Sequence, residues 1–196
     1  DRVGQILCYD AIAIKDESSD AKMFATAVGT VASRTELPLV LVSDSPEIMK
    51  AGARPIAKRR PLLFGANVSN HEPMVALAKE LSCPLVVSEG RGLNELADLV
   101  QKVKASGIED LVLNFEAGSM KQLLERSNTV RKVSIKKTFR GLGYPILVDA
   151  GRGESAILKG LLATMKYGSI VLFDELSETH ALPLFVLRQN IYTDPQ

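Results

Sequence analysis

Tryptophan is absent, aromatic residues make up 5%, and the 196 residues include two histidines and two cysteines. Each shortage excludes something. Cys8 and Cys83 frame no disulfide scaffold and no cysteine metal site. Cys8 ends the apolar pair Ile6-Leu7 and Cys83 opens another apolar run, so both are expected to be buried, reduced and inert. His71 and His180 stand in no ligand spacing with each other or with a cysteine, and no Ser-His-Asp arrangement assembles. An excess of one charge is also missing: 24 basic residues face 23 acidic ones. That balance carries no general nucleic-acid footprint. The cluster Lys58-Arg59-Arg60 has no interleaved aromatics and reads as a solvated loop. No apolar run reaches membrane-spanning length and no signal peptide is visible, so a cytoplasmic protein is the default expectation.

What is present is one phrase repeated. Cys83-Pro84-Leu85-Val86-Val87-Ser88-Glu89 is a short apolar run, opened by proline and closed by small and acidic residues. Asp10–Ile14, Leu37–Val42, Pro61–Phe64, Asp110–Leu113, Tyr144–Val148 and Ser169–Phe173 say the same, which makes seven. Each run is continuously apolar rather than alternating, as in strands covered on both faces of a parallel sheet. Richness in Val, Ile and Leu favours strand over buried helix, and proline at the first position loses no necessary ladder bond.

Helix-period segments lie between the runs. Asp20 is positioned to cap a helix facing inward through Phe24, Val28 and Val31. Ser45 followed by Pro46 is a helix start, with Ile48 and Met49 inward. Ser69 or Asn70 is expected to cap a helix bearing Met74, Leu77, Ala78 and Leu81. The next carries Leu93, Leu96, Leu99, Val100 and Val103 and stops at Gly107. A longer segment carries Met120, Leu123, Leu124, Val130 and Ile135, with a possible break near Ser127-Asn128 and a basic end at Arg131, Lys132, Lys136 and Lys137. Two more carry Ile157, Leu161 and Met165, then His180 to Ile191.

Strict alternation of buried strands and helices predicts an α/β fold of TIM type: a (βα) barrel of parallel strands over residues 1–196, a single domain with seven βα units visible. An open doubly wound sheet is the alternative, but no strand-bound G-x-G-x-x-G fingerprint supports it. Eight strands are needed for a barrel, so either the first is expected to lie upstream of Asp1 or the sheet is open there, and the chain reads as part of a longer protein.

In such a barrel, ligands sit at the carboxyl ends of the strands. That rim carries Asp16 and Glu17, Asp44, Asn67, Glu89, Asn114 and Glu116, Asp149, and Asp174 and Glu175. The plain reading is strand-end turns and helix caps. The functional reading takes Asn67, Asn114 and Asp149 as ligand-binding residues, because amide and carboxylate edges pair with an amide-bearing heterocycle such as a pterin. No catalytic and no metal-binding residue is assigned.

The end of the chain is the most specific part. Leu187-Arg188-Gln189-Asn190-Ile191-Tyr192-Thr193-Asp194-Pro195 resembles the segment closing the barrel domain in the large, or gamma, subunit of the corrinoid/iron–sulfur protein of the CO dehydrogenase/acetyl-CoA synthase system. Arg60–Phe64, Cys83–Val87, Gly107–Leu113, Gly143–Ile146 and the opening Arg2-Val3-Gly4 agree, so the likeness spans essentially the whole chain. The tract Leu172–His180 departs from it in being more acidic than the family's usual sequence. The resemblance implies a barrel flanked, in the parent, by an iron–sulfur segment and a corrinoid (cobalamin) domain. It implies no cofactor in the barrel itself. It also implies a small-subunit partner in a heterodimer, and methyl transfer from a methyltetrahydropterin to acetyl-CoA synthase by way of a pterin methyltransferase; the charge balance and the short apolar runs point to neither nucleic-acid nor membrane binding. No catalytic residue of that family falls on this chain.

Overall fold

A computed structural model describes residue 4, residues 6–135 and residues 141–193. Arg2, Val3, Lys136, Lys137 and the terminal Asp194-Pro195-Gln196 lie outside the described residues. Among the described residues seven strands alternate with seven α-helices: β1 Ile12–Lys15, α1 Ala21–Ala32, β2 Leu39–Val42, α2 Pro46–Ala53, β3 Leu62–Ala66, α3 His71–Leu81, β4 Leu85–Glu89, α4 Leu93–Ala105, β5 Leu111–Phe115, α5 Met120–Ile135, β6 Ile146–Gly151, α6 Glu154–Met165, β7 Gly168–Phe173 and α7 Glu178–Thr193. The strands form one sheet in chain order. The ladders β1–β2, β2–β3, β3–β4 and β6–β7 are all parallel. Among the described residues no helix is long and apolar enough to cross a membrane.

Contacts divide the chain into two compact units, one spanning Tyr9–Leu113 and the other combining the residues up to Cys8 with those from Asn114 onward. In the first, register explains the unbroken apolar runs. Leu41 pairs with Leu63 and Leu63 with Leu85, while Val42 pairs with Phe64 and Phe64 with Val86. Neighbours in register share a face, so these are two opposite faces of the same strands. Leu41, Leu63, Leu85 and Val86 are fully buried. Each such side chain removed from water contributes about 1.5–3 kcal/mol, which fixes the register of the ladder.

Local chemistry sets the ends of the helices. Asp20 Oδ1 accepts from the amides of Lys22 and Met23, and Ser45 Oγ from Ile48, with Pro46 in the first turn. Ser82 at the end of α3 and Gly107 after α4 both take left-handed φ, 53° and 88°, which stops each helix. The basic cluster before β3 is not merely solvated. Arg59 donates to the carbonyls of Ala32 and Leu37 at 2.7 and 2.8 Å. Arg60 donates to the Ser82 carbonyl and to Asp110 Oδ2 at 2.9 and 2.7 Å, tying together the starts of β3, β4 and β5. Lys58 is exposed.

Four further expectations change. Cys8 is exposed, because its apolar run is two residues long and ends before β1, where no sheet covers it; Cys83 is buried as expected. Helix α5 runs unbroken through Ser127-Asn128, where neither proline nor glycine interrupts it. Asn70 stands at the start of α3, yet its side chain does not cap the helix. Helix α6 buries Ala156, Gly160 and Ala163 in place of Ile157, Leu161 and Met165.

Candidate functional site at the carboxyl ends of the strands

In the unit Tyr9–Leu113, the strand ends are knitted to one another. Ser43 Oγ donates to Asp16 Oδ2 at 3.1 Å and accepts from the Ser45 amide, while Asp16 Oδ1 accepts from the Ser19 amide. Asn70 is 8% exposed and is the hub of the neighbouring loops. Its amide nitrogen donates to the carbonyls of Asp44 and Gly65 at 2.7 and 2.8 Å, and its Oδ1 accepts from the Asn67 amide at 2.7 Å. Gly65 holds φ 154°, and a Cβ there would overlap the carbonyl of Ser43, 2.7 Å from its carbon. Close approach of two loops therefore requires glycine at this point. Asn67, one of the predicted ligand residues, is half-buried. Its Oδ1 accepts from both the amide and the hydroxyl of Ser69, at 2.9 and 2.6 Å.

Glu89, the last residue of β4, is 7% exposed. Arg91 closes over it: Nε and Nη2 donate to the two carboxylate oxygens at 3.0 and 2.9 Å, and the Arg91 amide donates at 2.8 Å. The Arg91 guanidinium holds the Glu89 carboxyl down to about 2 from its ordinary 4.5, against the opposing effect of burial. Arg91 itself stays two-thirds exposed, between Gly90 and Gly92. Sequence reasoning placed Glu89 on the rim but missed Asn70 and Arg91. The spacings Asn67-x-x-Asn70 and Glu89-x-Arg91 were the available signals, since both let a side chain reach the backbone two or three residues away.

In the unit from Asn114 onward, the rim is looser. Asn114 is 5% exposed, and its amide donates to the Leu147 carbonyl of β6 at 3.3 Å. Asp149, two residues on from Leu147, is exposed; its Oδ1 accepts from the Gly151 amide at 3.0 Å, and Lys159 Nζ donates to its carbonyl at 2.6 Å. Arg152 Nε donates to Asp174 Oδ2 at 3.4 Å, and Arg126 donates to the Glu116 carbonyl. Asn114 is thus linked to the start of β6, two residues before Asp149, while Asn67 belongs to the other unit. Among the described residues no group of three or more His, Cys, Asp or Glu is placed to hold a metal ion.

Residues 1–196 match the family described as CdhD, CO dehydrogenase/acetyl-CoA synthase delta subunit. The chain belongs to that family. It is 43% identical to the corrinoid/iron–sulfur protein large subunit of Moorella thermoacetica, over all of this chain and 44% of that protein. It is 32% identical to subunit gamma 1 of the acetyl-CoA decarbonylase/synthase complex of Methanosarcina mazei, over 99% of this chain and 44% of that protein. The chain therefore spans less than half the length of these relatives. Dihydropteroate synthase from Xanthomonas albilineans superposes with a TM-score of 0.72 at 14% identity, over 95% of this chain and 80% of that one. The Thermus thermophilus enzyme gives 0.68 at 19%, over 91% and 82%. These likenesses show the fold alone, the TIM-type (βα) barrel expected from the sequence. This chain does not itself fit an iron–sulfur cluster. A four-iron cluster takes four thiolates, and this chain offers Cys8, which is exposed, and Cys83, which is buried.

Proposed function

We propose that this chain is the barrel scaffold of a corrinoid/iron–sulfur methyl carrier, which passes a methyl group from a methyltetrahydropterin to acetyl-CoA synthase in the cytoplasm. The observation that carries this reading is the 43% identity to the Moorella large subunit across the full length of the chain. The state of the strand ends supports a positioning role. Asp16, Asn67, Asn70 and Glu89 spend polar atoms on their own and neighbouring loops, which makes a stiff rim. In this reading the cobalamin and the iron–sulfur cluster belong to other parts of the parent. The barrel holds the small subunit in a heterodimer and presents the methyl carrier to the pterin methyltransferase and to acetyl-CoA synthase. Co-purification of the full-length chain with its small subunit is the test. A stable one-to-one complex is expected, and a folded chain that elutes alone at micromolar concentrations of both would sink the proposal.

A second reading is favoured by one observation: Asp149 stands exposed toward the end of β6, its carboxylate accepting from the nearby Gly151 amide. In that reading Asn114 and Asp149, which lie in one unit, bind the pterin directly. Titration of methyltetrahydrofolate decides it. Saturable binding weakened at least tenfold by Asp149→Ala is expected if the pterin sits there, and absence of saturation up to millimolar ligand removes the reading.

A further inference from the structure

We draw no further inference here: the strongest candidate, the outer face of α1 where Met23, Thr26, Ala27 and Thr30, beside Asp20 and Lys22, line a concavity of about 580 Å³, is a mostly apolar helix face, and nothing in the structure shows what covers it.

Discussion

The unit Tyr9–Leu113 and the unit from Asn114 onward repeat the same βα phrase but bury different things. In the first, β4 is buried at every position, and helices α3 and α4 face inward through Met74, Leu77, Leu96, Leu99 and Val103. In the second, no residue of β7 is fully buried, although Ile170, Val171, Leu172 and Phe173 are all apolar. Helix α6 there turns its small residues inward and leaves Leu158 and Met165 60% and 50% exposed. The Phe173 ring explains the inversion, because it occupies the space that a Cβ at Gly160 would need. A helix can sit that close to a strand only through its smallest side chains, and the large ones are then turned outward. Hydrophobic periodicity shows that a helix has an inward face; the distance of approach decides which residues form it.

The same contrast appears in the backbone, and two glycines provide the strongest way to break it. Gly65 is pressed against the Ser43 carbonyl at φ 154°, whereas Gly151 has a left-handed φ of 76° and open space around its Cβ position. Gly65→Ala must move one strand-end loop off the other, so a loss of more than about 3 kcal/mol is expected. Gly151→Ala meets only the left-handed penalty, about 1 kcal/mol. Urea denaturation of both variants measures the difference. Equal losses would mean that the tight rim of the first unit is not what holds its loops.

Much of this was legible in the sequence. The apolar runs located all seven strands, because burial on both faces leaves no polar positions to blur the pattern. Asp20, Ser45 and Gly107 marked helix ends through bonds that act within a few residues. What stayed hidden depends on partners distant in sequence. Asn70 looked like a helix cap, but it spends its side chain on Asp44, 26 residues away. Arg60 looked like a solvated cation, but it reaches Asp110, 50 residues away. The candidate site was half legible for the same reason: residue types at strand ends can be read, whereas the partner each side chain selects cannot. Asn114 offered an amide to a possible ligand, and the structure gives that amide a carbonyl on β6.

Acid sharpens the comparison next. Glu89 in the first unit has its folded value depressed to about 2 from 4.5, while its counterparts in the second unit are exposed or weakly paired. A depressed carboxyl contributes stability that is fully present above the unfolded value and is lost as pH falls through the folded one. The contribution should therefore fade between about pH 5 and pH 2. Arg91 is two-thirds exposed, so solvent screening limits the gain to about 1–2 kcal/mol. Unfolding free energies followed from pH 6 down to pH 2.5 should show this slope in the wild type and a flatter one in Glu89→Gln. Identical slopes would assign the acid sensitivity to other carboxylates.

The smallest expected effect is a gain. Ser127 in α5 and Ser88 in β4 are 1% and 8% exposed, and neither hydroxyl finds a partner among the described residues. Burying an unpaired hydroxyl costs about 1–3 kcal/mol, so replacing it by a methyl group of similar size should stabilise. At Ser127 a second contribution has the same sign, because alanine is the better helix former by about 0.5 kcal/mol. At Ser88 that contribution is absent and alanine is the poorer strand former. Ser127→Ala is therefore expected to gain about 1 kcal/mol, or roughly 2–4 °C in melting temperature for a chain of this size, and Ser88→Ala distinctly less. Calorimetry of the two variants separates the contributions. A loss of stability at Ser127 would show that its hydroxyl is held by a buried water, and the looser of the two units would then contain a polar contact that its side chains alone do not reveal.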